Sequence, residues 1–220
     1  MDWTQTIDGY CERVGPGLWA EPVNALTNIA FLIAAYIMWR RTGKTVLPLA
    51  HALVGLLAVI GIGSLLFHTF ATRWAAVLDT VPIGLFILLY IFAANRDYWR
   101  LPVWASMLGA AAFVPYAALL TPLISALPFL QISGAYWTVP LLIAGYGVAL
   151  RSCTPVTARG LLIGAGLLAG SLIFRSLDQI SCATIPIGTH FVWHLLNATM
   201  LAWMIEVYRS HMLADSKARR

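Results

Sequence analysis

Charge is what this chain is short of. Asp, Glu, Lys and Arg make up only 10% of its 220 residues, whereas 60% are hydrophobic and the mean hydropathy is +0.79. A water-soluble domain carries about 25% charged residues to solvate its surface, so a soluble globule is excluded, and so is a disordered chain. Ten-residue segments of alternating hydrophobicity are missing, which argues against a transmembrane β-barrel. Internal repeats and low-complexity tracts are also missing. The formal net charge of +5 does not point to nucleic acid, because most basic residues stand at the ends of apolar runs, where membrane insertion puts them.

What is present is a series of apolar runs, each long enough to cross a hydrocarbon core about 30 Å thick at about 1.5 Å per residue. Seven spans are expected, at 23–39, 47–69, 75–94, 101–121, 134–150, 160–175 and 188–208. The expected fold is therefore all-α, a polytopic seven-transmembrane-helix bundle. A polar, acidic segment at 1–22 precedes the helical domain at 23–208, and a basic tail at 209–220 follows it. The first 22 residues have no basic start and no apolar stretch, unlike a signal peptide. Eleven of the fourteen basic residues fall in the loops after spans one, three and five and in the C-terminal tail. The positive-inside rule then puts the N-terminus outside and the C-terminus in the cytoplasm.

An ionisable residue within a span is costly in lipid and is a functional candidate for that reason. The set is short: His68, Asp79, Arg175, His190, His194 and Glu206. Ser64 and His68 stand four residues apart at the end of span two, hence on one helical face. His190 and His194 repeat that spacing at the start of span seven, and Asp79 lies about one and a half turns into span three. In the expected topology the three histidines and the aspartate share a depth near the outer surface. One such histidine alone would more often hydrogen-bond a neighbouring helix. Three together offer the nitrogen ligands of a catalytic Zn²⁺ site with a fourth position for water. Asp79 is placed to handle the proton of that water, and Ser64 to donate to the oxyanion that forms. Glu206 receives no function, and His51 and His211 read as interfacial.

Three stretches carry a resemblance to a known family: GIGSLLFHTFATRWAAVLDTVP, DQISC followed by HFVWH, and YCER with AEPVNALTN. Together they resemble the alkaline ceramidases of the seven-span CREST hydrolase superfamily. The resemblance implies zinc-dependent hydrolysis of the ceramide amide to a sphingoid base and a fatty acid. His68, His190 and His194 match the zinc ligands, Asp79 the residue that handles the water, and Ser64 the oxyanion partner. Ceramide would reach the site sideways from the bilayer, its chains in an apolar cavity including Trp19 and Trp193.

The resemblance also implies a Ca²⁺ site in the N-terminal segment, built from Asp8, Tyr10, Glu12 and Glu21. The match is partial, since Gly9 stands where an aspartate is expected and Val14 where an asparagine is. Of the three cysteines, Cys11 and Cys182 fall on the expected outer side, where an oxidising exterior favours a disulfide, and the family pattern agrees. Cys153 would stay free. Asp178 matches the family's D-x-x-x-C motif and is expected to pair with Arg175, three residues before it. Two further readings stay open at this level: a progestin and adipoQ receptor-like seven-helix zinc protein, and a zinc transporter or sensor.

Overall fold

The computed structural model describes residues 2–218, so Arg219 and Arg220 of the basic tail lie outside the described residues. Among the described residues the chain is helical without strands, apart from an isolated bridge between Thr6 and Thr72. The helices are α1 (Pro22–Thr27), α2 (Ile29–Thr42), α3 (Pro48–Phe70), α4 (Arg73–Ala93), α5 (Val103–Ala111), α6 (Phe113–Ser125), α7 (Gly134–Ala149), α8 (Pro155–Ser181) and α9 (His190–Ala218). Pro22, Pro48 and Pro155 each open a helix, the position where the missing N–H of proline costs nothing.

Six stretches are long and apolar enough to cross a membrane: Pro22–Thr42, Pro48–Phe70, Arg73–Tyr98, Val103–Ser125, Gln131–Ala149 and Pro155–Ser181. The protein is thus an integral membrane protein. The seventh long helix, α9, is diluted by His190, His194, Asn197 and Glu206, the polar groups that make it interesting. Sequence spans and observed helices differ at several places. The first span is broken at Asn28, whose buried side chain donates back to the Asn24 carbonyl at 2.8 Å, and the fourth is broken at Ala112. Helix α8 overruns the expected 160–175 at both ends, and α9 runs past the expected end at 208. Apolarity marks where a helix meets lipid, whereas helicity continues wherever charged side chains find partners.

The bundle pairs α3 with α4, α8 with α9, α7 with α8 and α2 with α3. Its centre is filled by Phe31, Leu53, Leu57, Ile60, Leu161, Leu172 and Ile205, all fully buried. In lipid the hydrophobic effect does not press helices together, so close backbone approach and packing do. The tightest approach lies between α3 and α4. A Cβ on Gly63 would stand 2.0 Å from the Leu78 carbonyl oxygen and 3.3 Å from the backbone nitrogen of Asp79. Gly63 therefore sets the spacing between Ser64 on one helix and Asp79 on the other.

Gly63→Ala should force α3 and α4 apart and lower stability by about 1–3 kcal/mol, as overpacking does. Gly84→Ala, on α4 with nothing within 4 Å of the added methyl, should leave stability unchanged or raise it. Thermal unfolding of the two variants in detergent checks the contrast.

Candidate metal centre

Two helices deliver the histidines. His68 ends α3, and His190 and His194 occupy the first two turns of α9. Their side chains are buried, and one ring nitrogen from each lies within 4.8 Å of the others. This group could hold a metal ion.

Hydrogen bonding shows which nitrogens are free. Nδ1 of His68 lies 2.6 Å from a Glu21 carboxylate oxygen, an acceptor only when ionised, so this nitrogen carries the proton. Nδ1 of His194 lies 2.9 Å from Thr27 Oγ1. The Thr27 hydroxyl proton is directed at the carbonyls of Val23 and Asn24, at 2.8 and 3.0 Å, so the hydroxyl oxygen accepts from His194. With both rings neutral, the two Nε2 atoms are bare lone pairs, and they face each other at 3.1 Å. Two facing acceptors repel unless a cation lies between them. The buried Nδ1 of His190 has no hydrogen-bond partner either. Three clustered imidazoles form a donor set suited to a metal, and those of His68 and His194 are oriented by a hydrogen bond at the outer nitrogen, as ligating histidines commonly are.

The remaining candidates stand beside this group. Ser64 lies one turn before His68 on α3, and Asp79 lies on α4 across the Gly63 contact. Ser64 Oγ and Asp79 Oδ1 are both buried without a hydrogen-bond partner. Unpaired buried polar atoms of this kind cost about 1–3 kcal/mol each, which makes the two residues functional candidates. Around His190, the Tyr10 ring stacks at 3.8 Å and the Trp193 ring at 5.1 Å. Trp193 is buried, whereas Trp19 is 66% exposed and stands apart from it.

The N-terminal segment closes over the histidines. Residues 3–7 follow the turn between α3 and α4, with Ile7 N donating to the Ala71 carbonyl and Arg73 N to that of Gln5. A disulfide joins Cys11 to Cys182, their Cα atoms 5.2 Å apart, and Cys153 is free and exposed.

Asp178 corrects an expectation. Arg175 does not pair with it. The guanidinium reaches the Ile132 carbonyl and Ser133 Oγ and lies over the Tyr136 ring. Asp178, 1% exposed, instead accepts from the backbone N–H groups of Thr189 at 2.7 Å, His190 at 2.9 Å and Cys11 at 3.1 Å. One carboxylate thereby caps the helix that carries two histidines and ties the N-terminal segment to it, with its charge at the positive end of the α9 dipole. Gly188, at φ +65°, turns the chain so tightly that a Cβ there would meet Asp178 Oδ1 at 2.0 Å.

The residues expected to bind Ca²⁺ do not fit such a site. Asp8 is exposed, and the backbone carbonyl of Tyr10, the group expected to ligate, accepts from Arg13 N at 3.2 Å. Glu12 spends both oxygens on the N-terminus of α1, accepting from Val23 N at 2.6 Å and Asn24 N at 2.8 Å. Glu21 is ion-paired with Arg13 and hydrogen-bonded to His68. Burial pushes the Glu21 carboxyl up, but the His68 hydrogen bond and the Arg13 guanidinium outweigh it and hold it below the usual carboxylate range. Thr27, the capping role of Asp178 and the His68 contact of Glu21 were not foreseen from sequence. Their one visible signal was polar residues inside the stretches AEPVNALTN and DQISC.

A family model described as Ceramidase matches residues 4–219. No curated protein matches the chain.

Removing the cap tests how the metal centre is held. Asp178→Ala strands three N–H groups and should cost about 1–3 kcal/mol of stability, read by thermal unfolding. Asp178→Asn, which keeps one acceptor oxygen, should lose less.

Proposed function

The chain belongs to the ceramidase family, and on that premise we propose that it is a zinc-dependent intramembrane amidase that cleaves ceramide-type lipids to a sphingoid base and a fatty acid. The observation that carries the reading is the pair of bare Nε2 atoms of His68 and His194 facing each other at 3.1 Å, with the orphaned Ser64 and Asp79 alongside. Three nitrogen donors with a position left for water are the donor set of catalytic zinc. His68, His190 and His194 would hold the ion. When bound, it supplies Lewis acidity, acidifying water and polarising a carbonyl.

The chain's own residues do the rest. Asp79, the buried carboxylate next to the histidines, takes the proton of the attacking water and returns it to the amine as the carbon–nitrogen bond breaks. Ser64 donates its hydroxyl proton to the oxyanion that develops on the amide oxygen, an interaction that strengthens as charge builds. Thr27 and Glu21 keep the rings of His194 and His68 in the tautomer that presents Nε2. Further along α4 from Asp79, a small apolar cavity of about 50 Å³ lies among Phe86, Val139, Leu142, Met200 and Met204, between α4, α7 and α9. The distribution of basic residues supports an outside N-terminus and a site near the non-cytoplasmic face. The family match favours hydrolysis over the receptor and transporter readings.

Asp79→Ala should lower hydrolysis of a ceramide by at least about 100-fold, the lower range for losing an acid–base group, with zinc still bound. His194→Ala should lose both zinc and activity, and a chelator should abolish wild-type turnover. The checks are zinc content by mass spectrometry and release of fatty acid from a panel of lipid amides in detergent. Zinc bound at one equivalent without hydrolysis of any amide, or wild-type turnover by Asp79→Ala, would overturn the proposal.

A further inference from the structure

Arg13 is a buried cation whose place in the chain explains nothing on its own. Its side chain is 5% exposed, yet it sits in a polar segment where a long basic residue could reach water freely. A buried charge is tolerated only when paired and hydrogen-bonded. Here Nε of Arg13 donates to Glu21 Oε1, and Nη1 donates to the Gly15 carbonyl at 3.0 Å. The other Glu21 oxygen accepts from His68 Nδ1 at 2.6 Å and faces Asn24 Nδ2 at 3.3 Å. The three side chains form one line, cation to carboxylate to imidazole, ending at the nitrogen that the proposed metal requires.

This line occupies the place where the family resemblance implies Ca²⁺. That ion takes six to eight oxygen ligands. Near Arg13 the carboxylate oxygens of Glu12 and Glu21 are already engaged and only Asn24 Oδ1 is a buried oxygen without a partner, Gly9 and Val14 supply no carboxylate or amide side chain, and the guanidinium itself would repel a divalent cation beside Glu21. We propose that Arg13 is the resident cation of the N-terminal segment: its guanidinium holds Glu21 against His68, so the histidine site is oriented without Ca²⁺. The part concerning metal affinity rests on the reading of the three histidines as a zinc site.

In this role Arg13 and Glu21 are positioning residues acting through His68. Contacts behind a metal ligand change metal affinity by about 10–100-fold when removed. Arg13→Met should therefore weaken zinc binding by about that factor, measured on folded protein by competition with a chelating dye. Arg13→Lys, which keeps the charge but not the planar fork, should recover most of it. Glu21→Gln should weaken zinc as Arg13→Met does. A purely structural Arg13 would lower thermal stability while leaving the zinc dissociation constant where it was, and that result overturns the proposal.

The second arm uses the wild type alone and stands if Arg13→Met does not fold. Ca²⁺ at about 1 mM, the weakest range of extracellular calcium modules, should neither raise its unfolding temperature nor change its hydrolysis relative to EGTA. Calorimetry on metal-free protein should show no Ca²⁺ binding. Calcium-dependent stabilisation or activation would overturn the resident-cation assignment. If the wild type takes up no zinc and cleaves no lipid amide, the reading of the histidine site falls, and the calcium arm alone then upholds or overturns the assignment.

Discussion

The geometry of this protein turns on two imidazole nitrogens pointing at each other. His68 Nε2 and His194 Nε2 stand 3.1 Å apart in a buried site, and both are acceptors because Glu21 and Thr27 engage the opposite nitrogens. Neutral lone pairs do not adopt that arrangement for packing reasons. Everything around it keeps the two rings in place: α3 is pinned to α4 by the Gly63 contact, α9 is capped by Asp178, and α1 brings Thr27 to His194. Relaxing any one of these would let the rings turn apart and weaken the donor set.

A membrane protein has little water to satisfy polar atoms at such a site, so each carboxylate is used on several donors at once. Asp178 takes three backbone N–H groups, Glu12 takes two at the start of α1, and Glu21 is shared between a guanidinium and an imidazole. Glu206 does the same at the other end of the bundle, where Arg41 from α2 and Arg209 from α9 both reach it. Four of the nine acids thus work as staples between elements distant in sequence. Charge is scarce in this chain, and these four carboxylates are committed to joining its elements.

The catalytic candidates were legible in the sequence because helical periodicity is local. Ser64 and His68, like His190 and His194, share a face at a spacing of four, and a carboxylate in an apolar run is conspicuous. Six of the seven expected spans followed from apolar runs in the same way. What could not be read was anything set by contacts across the fold. Glu21 belongs by composition to an acidic segment, and only the approach of α3 turns it toward His68. Asp178 sits three residues from Arg175, a spacing that favours an ion pair, yet three stranded N–H groups in a dry site outcompete one guanidinium that has other acceptors. Helix ends were misjudged for a related reason, since α8 continues past Arg175 and Asp178 once both are satisfied.

The N-terminal segment is consequently part of the site rather than a leader to it. The disulfide to Cys182, the Cys11 N–H on Asp178 and the Gln179 side chain on the Gly9 carbonyl fasten it to the end of α8, while Ile7 and Gln5 follow the turn after His68. These anchors straddle the histidines and press Tyr10 onto the His190 ring. Fastened only at its start, the segment would pivot and release Tyr10; fastened only at Cys11, it would leave the end of α3 uncovered. Held at both, it excludes water from the three rings, which strengthens every electrostatic interaction among them.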